Sequence, residues 1–161
     1  KDKIKATPLW AIKSLKGSFE ILLITGSGGA LGYIIRESGI IDSLSLNNVT
    51  GLASILSVFI SAAIIKTIQG SSTVAIVTTC AITAPLLQSI GMTSELEKVI
   101  LIISIGSGAM TISHINDSYF WVVSKYSNTE MNDVLKYFSS ATIIQGLTGL
   151  LMSIIIFIFL N

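Results

Sequence analysis

Charge is scarce in this chain. Lys, Arg, Asp and Glu make up 12% of its 161 residues, whereas an ordinary soluble domain carries roughly 25%. The deficit is also uneven. No charged side chain lies between Asp42 and Lys66, between Lys66 and Glu95, or after Lys136. Gaps of that length suit membrane segments and exclude an ordinary globular enzyme domain. Cysteine occurs once, at Cys80. An intramolecular disulfide and a cysteine-based metal site are thereby excluded. No His-Glu-x-x-His, nucleophile elbow or Asp-rich metal motif is present, so no metal, no cofactor and no enzymatic chemistry is expected. The net charge of +1 offers no basic excess for nucleic acid.

What is present is apolar. Hydrophobic residues account for 51% of the chain, and mean hydropathy is +0.79. The pattern predicts an all-α, multi-pass membrane protein whose principal surroundings are the lipid bilayer. Residues 1–18 read as a juxtamembrane segment. The first twenty residues hold Lys1, Lys3, Lys5, Lys13 and Lys16 against Asp2 and Glu20, which places the amino-terminal end in the cytoplasm.

A first apolar segment runs from Phe19 to Ile41, and its centre is Thr25-Gly26-Ser27-Gly28-Gly29-Ala30-Leu31-Gly32. Glycine weakens a helix by roughly 1 kcal/mol relative to Ala. Two readings stay open: close approach of neighbouring helices, or a broken helix whose bare backbone lines a cavity. A phosphate-binding loop is disfavoured, because no strand precedes and no Lys-Ser or Lys-Thr follows.

Residues 51–69 and 74–90 form two apolar limbs joined by Gln69-Gly70-Ser71-Ser72-Thr73. Each limb is slightly short for an upright crossing of the ~30 Å hydrocarbon core. A re-entrant hairpin is expected, with two full spans as the alternative. Thr93 or Ser94 is positioned to cap the next helix, with Glu97 in support. That helix is expected to break between Gly106 and Asn116, where glycines precede polar residues. Residues 125–137 read as a polar connector, and Ser139–Leu160 as a charge-free spanning run.

The run Ser113-His114-Ile115-Asn116-Asp117-Ser118 lies inside this apolar territory. Between Val99 and Ser124, Asp117 is the only charged side chain and His114 the only histidine. An ionisable group in hydrocarbon is costly unless it faces a partner or a polar cavity, so the run marks a candidate functional site.

Four stretches together resemble the gluconate permease family: Thr25-Gly-Ser-Gly-Gly-Ala30, Gln69-Gly-Ser-Ser-Thr-Val-Ala75, Ala84-Pro85-Leu86 and Ser113-His-Ile-Asn-Asp-Ser-Tyr-Phe-Trp121. The resemblance extends from about residue 17 to the end. It implies a bacterial proton-coupled symporter of gluconate or a related sugar acid in the plasma membrane. It also implies inverted repeats, re-entrant hairpins and discontinuous helices. Residues 1–161 would then be the carboxyl-terminal portion, and the remainder of the permease a partner. One departure bears on substrate choice: Lys66 stands where the family usually carries arginine, and lysine offers a point charge in place of a two-pronged grip.

On this reading the substrate-binding candidates are Lys66, Gly70, Ser71, Ser72, Thr73, Gly26, Gly28, Gly29, Ser113 and Asn116. Half-helix ends and hydroxyls suit a small organic anion, and Lys66 supplies the neutralising charge. Asp117 and His114 are the proton-coupling candidates. Plainer readings stand beside each. Lys66 is expected to snorkel or pair with an acid, His114 to be a neutral packing residue, and Asp117 to cap a helix. Two other function classes remain: a sodium-coupled carrier and a non-transporting assembly subunit.

Overall fold

The computed structural model describes residues 50–160 continuously, with helical backbone also described at scattered positions between 11 and 37 and a turn at 38. Most of the juxtamembrane segment 1–18, together with Gly28 and Gly29, lies outside the described residues. Gly26 is described, exposed, and has nothing within 4 Å of where a Cβ would stand. No strand occurs among the described residues.

Five helices build the continuous part. Helix α1 is Leu52–Gln69 and α2 is Ser72–Thr83, extended by a 3-10 turn at Ala84–Leu86. Helix α3 is Glu95–Ala109 and α4 is Ser118–Ser127. Helix α5 covers Met131–Leu160. A π-helical stretch, Val134–Phe138, separates its first turn from the regular α-helix Ser139–Leu160.

The side-chain contacts fix how these helices run. Helices α1 and α2 form an antiparallel hairpin: the Ser54 hydroxyl donates to the Ile90 carbonyl (3.1 Å) at the open end, and Gly70 and Ser71 form the tip. Helix α3 runs parallel to α1. The Ser104 hydroxyl donates to the Ile55 carbonyl (2.8 Å), Gly108 abuts the Phe59 carbonyl, and Lys66 pairs with Asp117. Helix α5 runs opposite to both. Phe157 packs on Gly51, Gly149 on Ser107 and Gly146 on Thr111, while the Thr142 hydroxyl meets the backbone of Ser113. Farther along, the rings of Tyr119 and Phe138 stack edge to face at 5.6 Å. The tip of the α1–α2 hairpin therefore stops beside the end of α3, and α4 and the first turns of α5 continue past it.

Lengths match this arrangement. At 1.5 Å per residue, α1 is about 27 Å long, α3 about 22 Å and α5 about 45 Å. Among the described residues two helices, α1 and α5, are long and apolar enough to cross a membrane. The interior is a column of Ile55, Val58, Ala62, Ala75, Ile100, Leu101, Ile105 and Ala109. Leu56, Ile60, Ile64 and Ile68 on α1, and Ile144, Leu147 and Leu151 on α5, point outward and are exposed. Such an exterior suits lipid or further protein rather than water.

Local signals account for several boundaries. Ser94 and Glu97 form a reciprocal capping box at the start of α3, at 3.2 and 2.8 Å. Hydrogen bonds from the Ser94 backbone and side chain hold the Glu97 carboxyl below its ordinary range. Two expectations need correction and one holds. The second limb ends at Leu86 and not Ile90, because Pro85 has no N–H and restricts the residue before it. The break expected between Gly106 and Asn116 is present: the helix persists to Ala109 and the stretch 110–117 is non-helical. Gly108 packs bare backbone against Phe59 and Ala62, and this close approach outweighs glycine's poor helix propensity. The 125–137 connector is largely helical, and only 128–130 separate α4 from α5.

The two glycines of α3 should respond oppositely to alanine. A Cβ on Gly106 meets nothing within 4 Å, whereas one on Gly108 collides with the Phe59 carbonyl. Gly106→Ala should leave stability unchanged or raise it by up to about 1 kcal/mol. Gly108→Ala should cost about 1–3 kcal/mol. Thermal unfolding in detergent checks both.

Candidate functional site

The site lies where two chain interruptions meet. The first is the hairpin tip. Gly70 closes α1 with a left-handed backbone (φ 69°) and donates its N–H to the Lys66 carbonyl at 2.7 Å. A side chain at Gly70 would run into the Asn116 backbone carbonyl, so both the conformation and the close approach require glycine. Ser71 then caps α2, its oxygen accepting weakly from the Val74 N–H at 3.4 Å. Ser72 is half-buried and Thr73 exposed in the first turn of α2.

The second interruption is the stretch 110–117 between α3 and α4. Its backbone turns at Ile112, whose φ is 53°. A β-branched residue rarely adopts that conformation, so surrounding contacts must hold it. Those contacts come from α5. The Ser113 N–H donates to the Thr142 hydroxyl at 3.1 Å, and the Ser139 hydroxyl donates to the Ser113 carbonyl. Away from water, free backbone groups need such partners.

Residues of the break also finish α1. The last carbonyls of a helix have no partner within it. Here Asn116 Nδ2 donates to the Ile68 carbonyl at 2.7 Å, and His114 Nε2 lies 3.2 Å from the Thr67 carbonyl. The other ring nitrogen, Nδ1, accepts from the Asn116 N–H at 3.1 Å. A carbonyl can only accept, so Nε2 carries the hydrogen and Nδ1 is bare. The network assigns His114 as the neutral Nε2–H form.

At the centre stands a buried ion pair. Lys66 is 1% exposed and Asp117 4% exposed. The Lys66 ammonium donates to Asp117 Oδ2, and the Ser113 hydroxyl donates to the same oxygen. Asp117 Oδ1 accepts from the Tyr119 N–H at 3.0 Å and so caps α4. One carboxylate thus neutralises α1, orders the break and starts α4. An ammonium and a carboxylate this deep stabilise each other only when paired and hydrogen-bonded.

The structure therefore brings Lys66, Gly70, Ser113, His114, Asn116 and Asp117 together, with Ser71, Ser72 and Thr73 at the adjoining tip. Gly26 has nothing among the described residues within 4 Å of where its Cβ would stand. Lys66 does not snorkel, and Asp117 does cap a helix. The sequence allows Lys66 an acidic partner but does not name Asp117 as that partner. The available signal was balance: one cation and one anion, each alone in a charge-free stretch. Ser139 and Thr142 were also missed. Their spacing of three puts both hydroxyls on one face of α5. Among the described residues no cluster of His, Cys, Asp and Glu is placed to hold a metal.

A model of the GntP family of permeases matches residues 3–159. The chain belongs to this family. It is 33% identical to a high-affinity gluconate transporter of Escherichia coli over 86% of the chain and 31% of that protein. It is 37% identical to a D-serine transporter of Escherichia coli, over 81% of the chain and 29% of that protein. A gluconate permease of Pseudomonas aeruginosa is 30% identical over 89% of the chain and 32% of that protein. The chain spans about a third of the length of these relatives. No solved structure matches it. These relatives are transporters rather than enzymes, and the GntP-family chain is an integral membrane protein.

Within this GntP-family chain the ion pair should behave as one unit. Lys66→Met or Asp117→Asn alone strands the other charge and should cost about 3–5 kcal/mol. The double variant removes both charges while Asn still caps α4, so it should lose much less than the sum. A double-mutant cycle on thermal unfolding measures the difference.

Proposed function

We propose that this chain is the carboxyl-terminal portion of a secondary active transporter. It would import gluconate or a related small hydroxylated carboxylate together with protons across the bacterial plasma membrane. The buried Lys66–Asp117 pair at the junction of two helix interruptions carries this reading. Residues of that kind, held at membrane depth beside broken helices, suit ion and substrate pathways.

The chemistry of the tip supports the substrate class. Relatives are named for gluconate and for D-serine, and both molecules carry a carboxylate and at least one hydroxyl. Lys66 offers the countercharge. The first-turn N–H groups of α2 lie at the tip, and Ser71, Ser72 and Thr73 add neutral hydrogen-bonding groups. Asp117 is the coupling group on this reading. His114, engaged at both ring nitrogens, braces the end of α1.

The arrangement also supports a re-entrant hairpin. The α1–α2 tip ends level with the break while α4 and α5 run on, so both limbs would open to one side of the bilayer. The described helices would form one repeat of an inverted pair. The remaining segments of the permease would supply the other repeat and the opposing wall of the cavity.

Uptake of labelled gluconate by proteoliposomes containing the complete permease tests the proposal. An inward proton gradient should drive accumulation, and Asp117→Asn should abolish that drive while retaining exchange. Lys66→Gln should weaken binding strongly, whereas Lys66→Arg should retain it. Ser71→Ala and Thr73→Val each remove one neutral hydrogen bond, about 1 kcal/mol or roughly fivefold in affinity. Accumulation driven by sodium at fixed pH would replace the proton with sodium as the coupled ion.

A further inference from the structure

We propose that the Asp117 carboxylate is the site's own stand-in for the substrate carboxylate. One proton binds Asp117 for each substrate carboxylate that takes over Lys66. The proposal rests on the carrier reading above and adds to it the exchange of partners and the stoichiometry.

The argument starts from depth. Lys66 is fully buried, and among the described residues its hydrogen-bond acceptor is Asp117 Oδ2. A substrate carboxylate that approached Lys66 while Asp117 stayed ionised would set two negative charges against one positive. A proton on Asp117 without substrate would leave the ammonium alone. Each half-step strands one charge in a shielded site, which is the costly condition. The two steps together strand none. A proton from solution bonds to Oδ2 and the Lys66–Asp117 ion pair separates. Lys66 keeps its own proton and pairs with the substrate carboxylate. The net charge of the site is zero before and after.

The surrounding groups tolerate both states. The Ser113 hydroxyl now donates to Oδ2. Once Oδ2 carries a proton, the same hydroxyl oxygen can accept it, because a serine hydroxyl both donates and accepts. Contacts from Ser139 and Thr142 to its backbone hold Ser113 in place meanwhile. Asp117 Oδ1 can accept from the Tyr119 N–H in either state, so the start of α4 need not move. Ser113 is thus a positioning residue for the exchange.

No other described group competes for the role. In the break, His114 uses Nδ1 to accept and Nε2 to donate. On α1 the only charged residue is Lys66 itself. Helix α2 has no charged residue, and Cys80 is its one thiol. Helix α3 has no charge beyond Lys98. Helix α5 meets the break through Ser139 and Thr142, and its Lys136 is exposed over the Tyr137 ring. On α4, Tyr119, Lys125 and Tyr126 are exposed.

Calorimetric titration of the purified complete permease with gluconate, in buffers of different ionisation enthalpy between pH 5.5 and 8.5, tests the exchange. The expected result is uptake of about one proton per gluconate, with Kd rising about tenfold per pH unit where Asp117 is ionised in the empty site. Asp117→Asn should bind gluconate with no proton uptake and a flat Kd. Ser113→Ala removes a donor from the charged carboxylate, so it should keep the one-proton count and move the pH dependence to higher pH. Gluconate binding by the wild type without proton uptake would overturn the exchange and leave the carrier reading standing. So would a wild-type proton count in Asp117→Asn. The wild-type measurement decides even where that variant fails to fold. No binding or uptake of gluconate at any pH would overturn the carrier reading for this substrate.

Discussion

The cost of burying the Lys66 ammonium governs the rest of this structure. A charge held out of water needs an opposite charge and hydrogen bonds in good geometry. Here the partner comes from a break in a different helix, fifty-one positions along the chain. That requirement fixes the parallel course of α1 and α3. It also fixes the level at which α3 ends and the place where α4 begins. Gly70 and Asn116 touch because the pair draws their segments together. Hydroxyls of α5 hold the break against them.

The same economy appears in the backbone. Breaking a helix away from water exposes carbonyl and amide groups, and each needs a partner. Thr67 and Ile68 find theirs in His114 and Asn116, and Ser113 finds its own in Thr142 and Ser139. Two interruptions side by side solve the problem jointly. Ile112, held with a positive φ, marks where the chain accepts strain to make the fit.

Features that depend on neighbours in sequence were legible in it. The charge gaps revealed the apolar helices, and Ser94 with Glu97 revealed the start of α3. The tip and the Ser113–Ser118 run stood out because polar residues interrupt apolar ones. Features that depend on distant contacts were not legible. Gly106 and Gly108 look alike in sequence, yet one faces open space and the other faces Phe59. The break therefore falls a turn later than glycine propensity suggests. Lys66 and Asp117 were each conspicuous, but periodicity says nothing about which residues meet across fifty positions. Ser139 and Thr142 look like the ordinary start of a spanning helix. Only the backbone they hold distinguishes them.

The long reach of the contacts that finish α1 also bears on how the chain assembles during synthesis. Lys66 emerges fifty-one residues before Asp117, and Thr67 forty-seven before His114. At roughly 5–20 residues per second, α1 waits about 3–10 seconds for the groups that neutralise its lysine and bond its last carbonyls. During that interval the hairpin has its apolar surface but not its charge partner. The packing of the hairpin is completed only when α3 and the break arrive beside it, so the two interruptions are joined in the order of their making as well as in space.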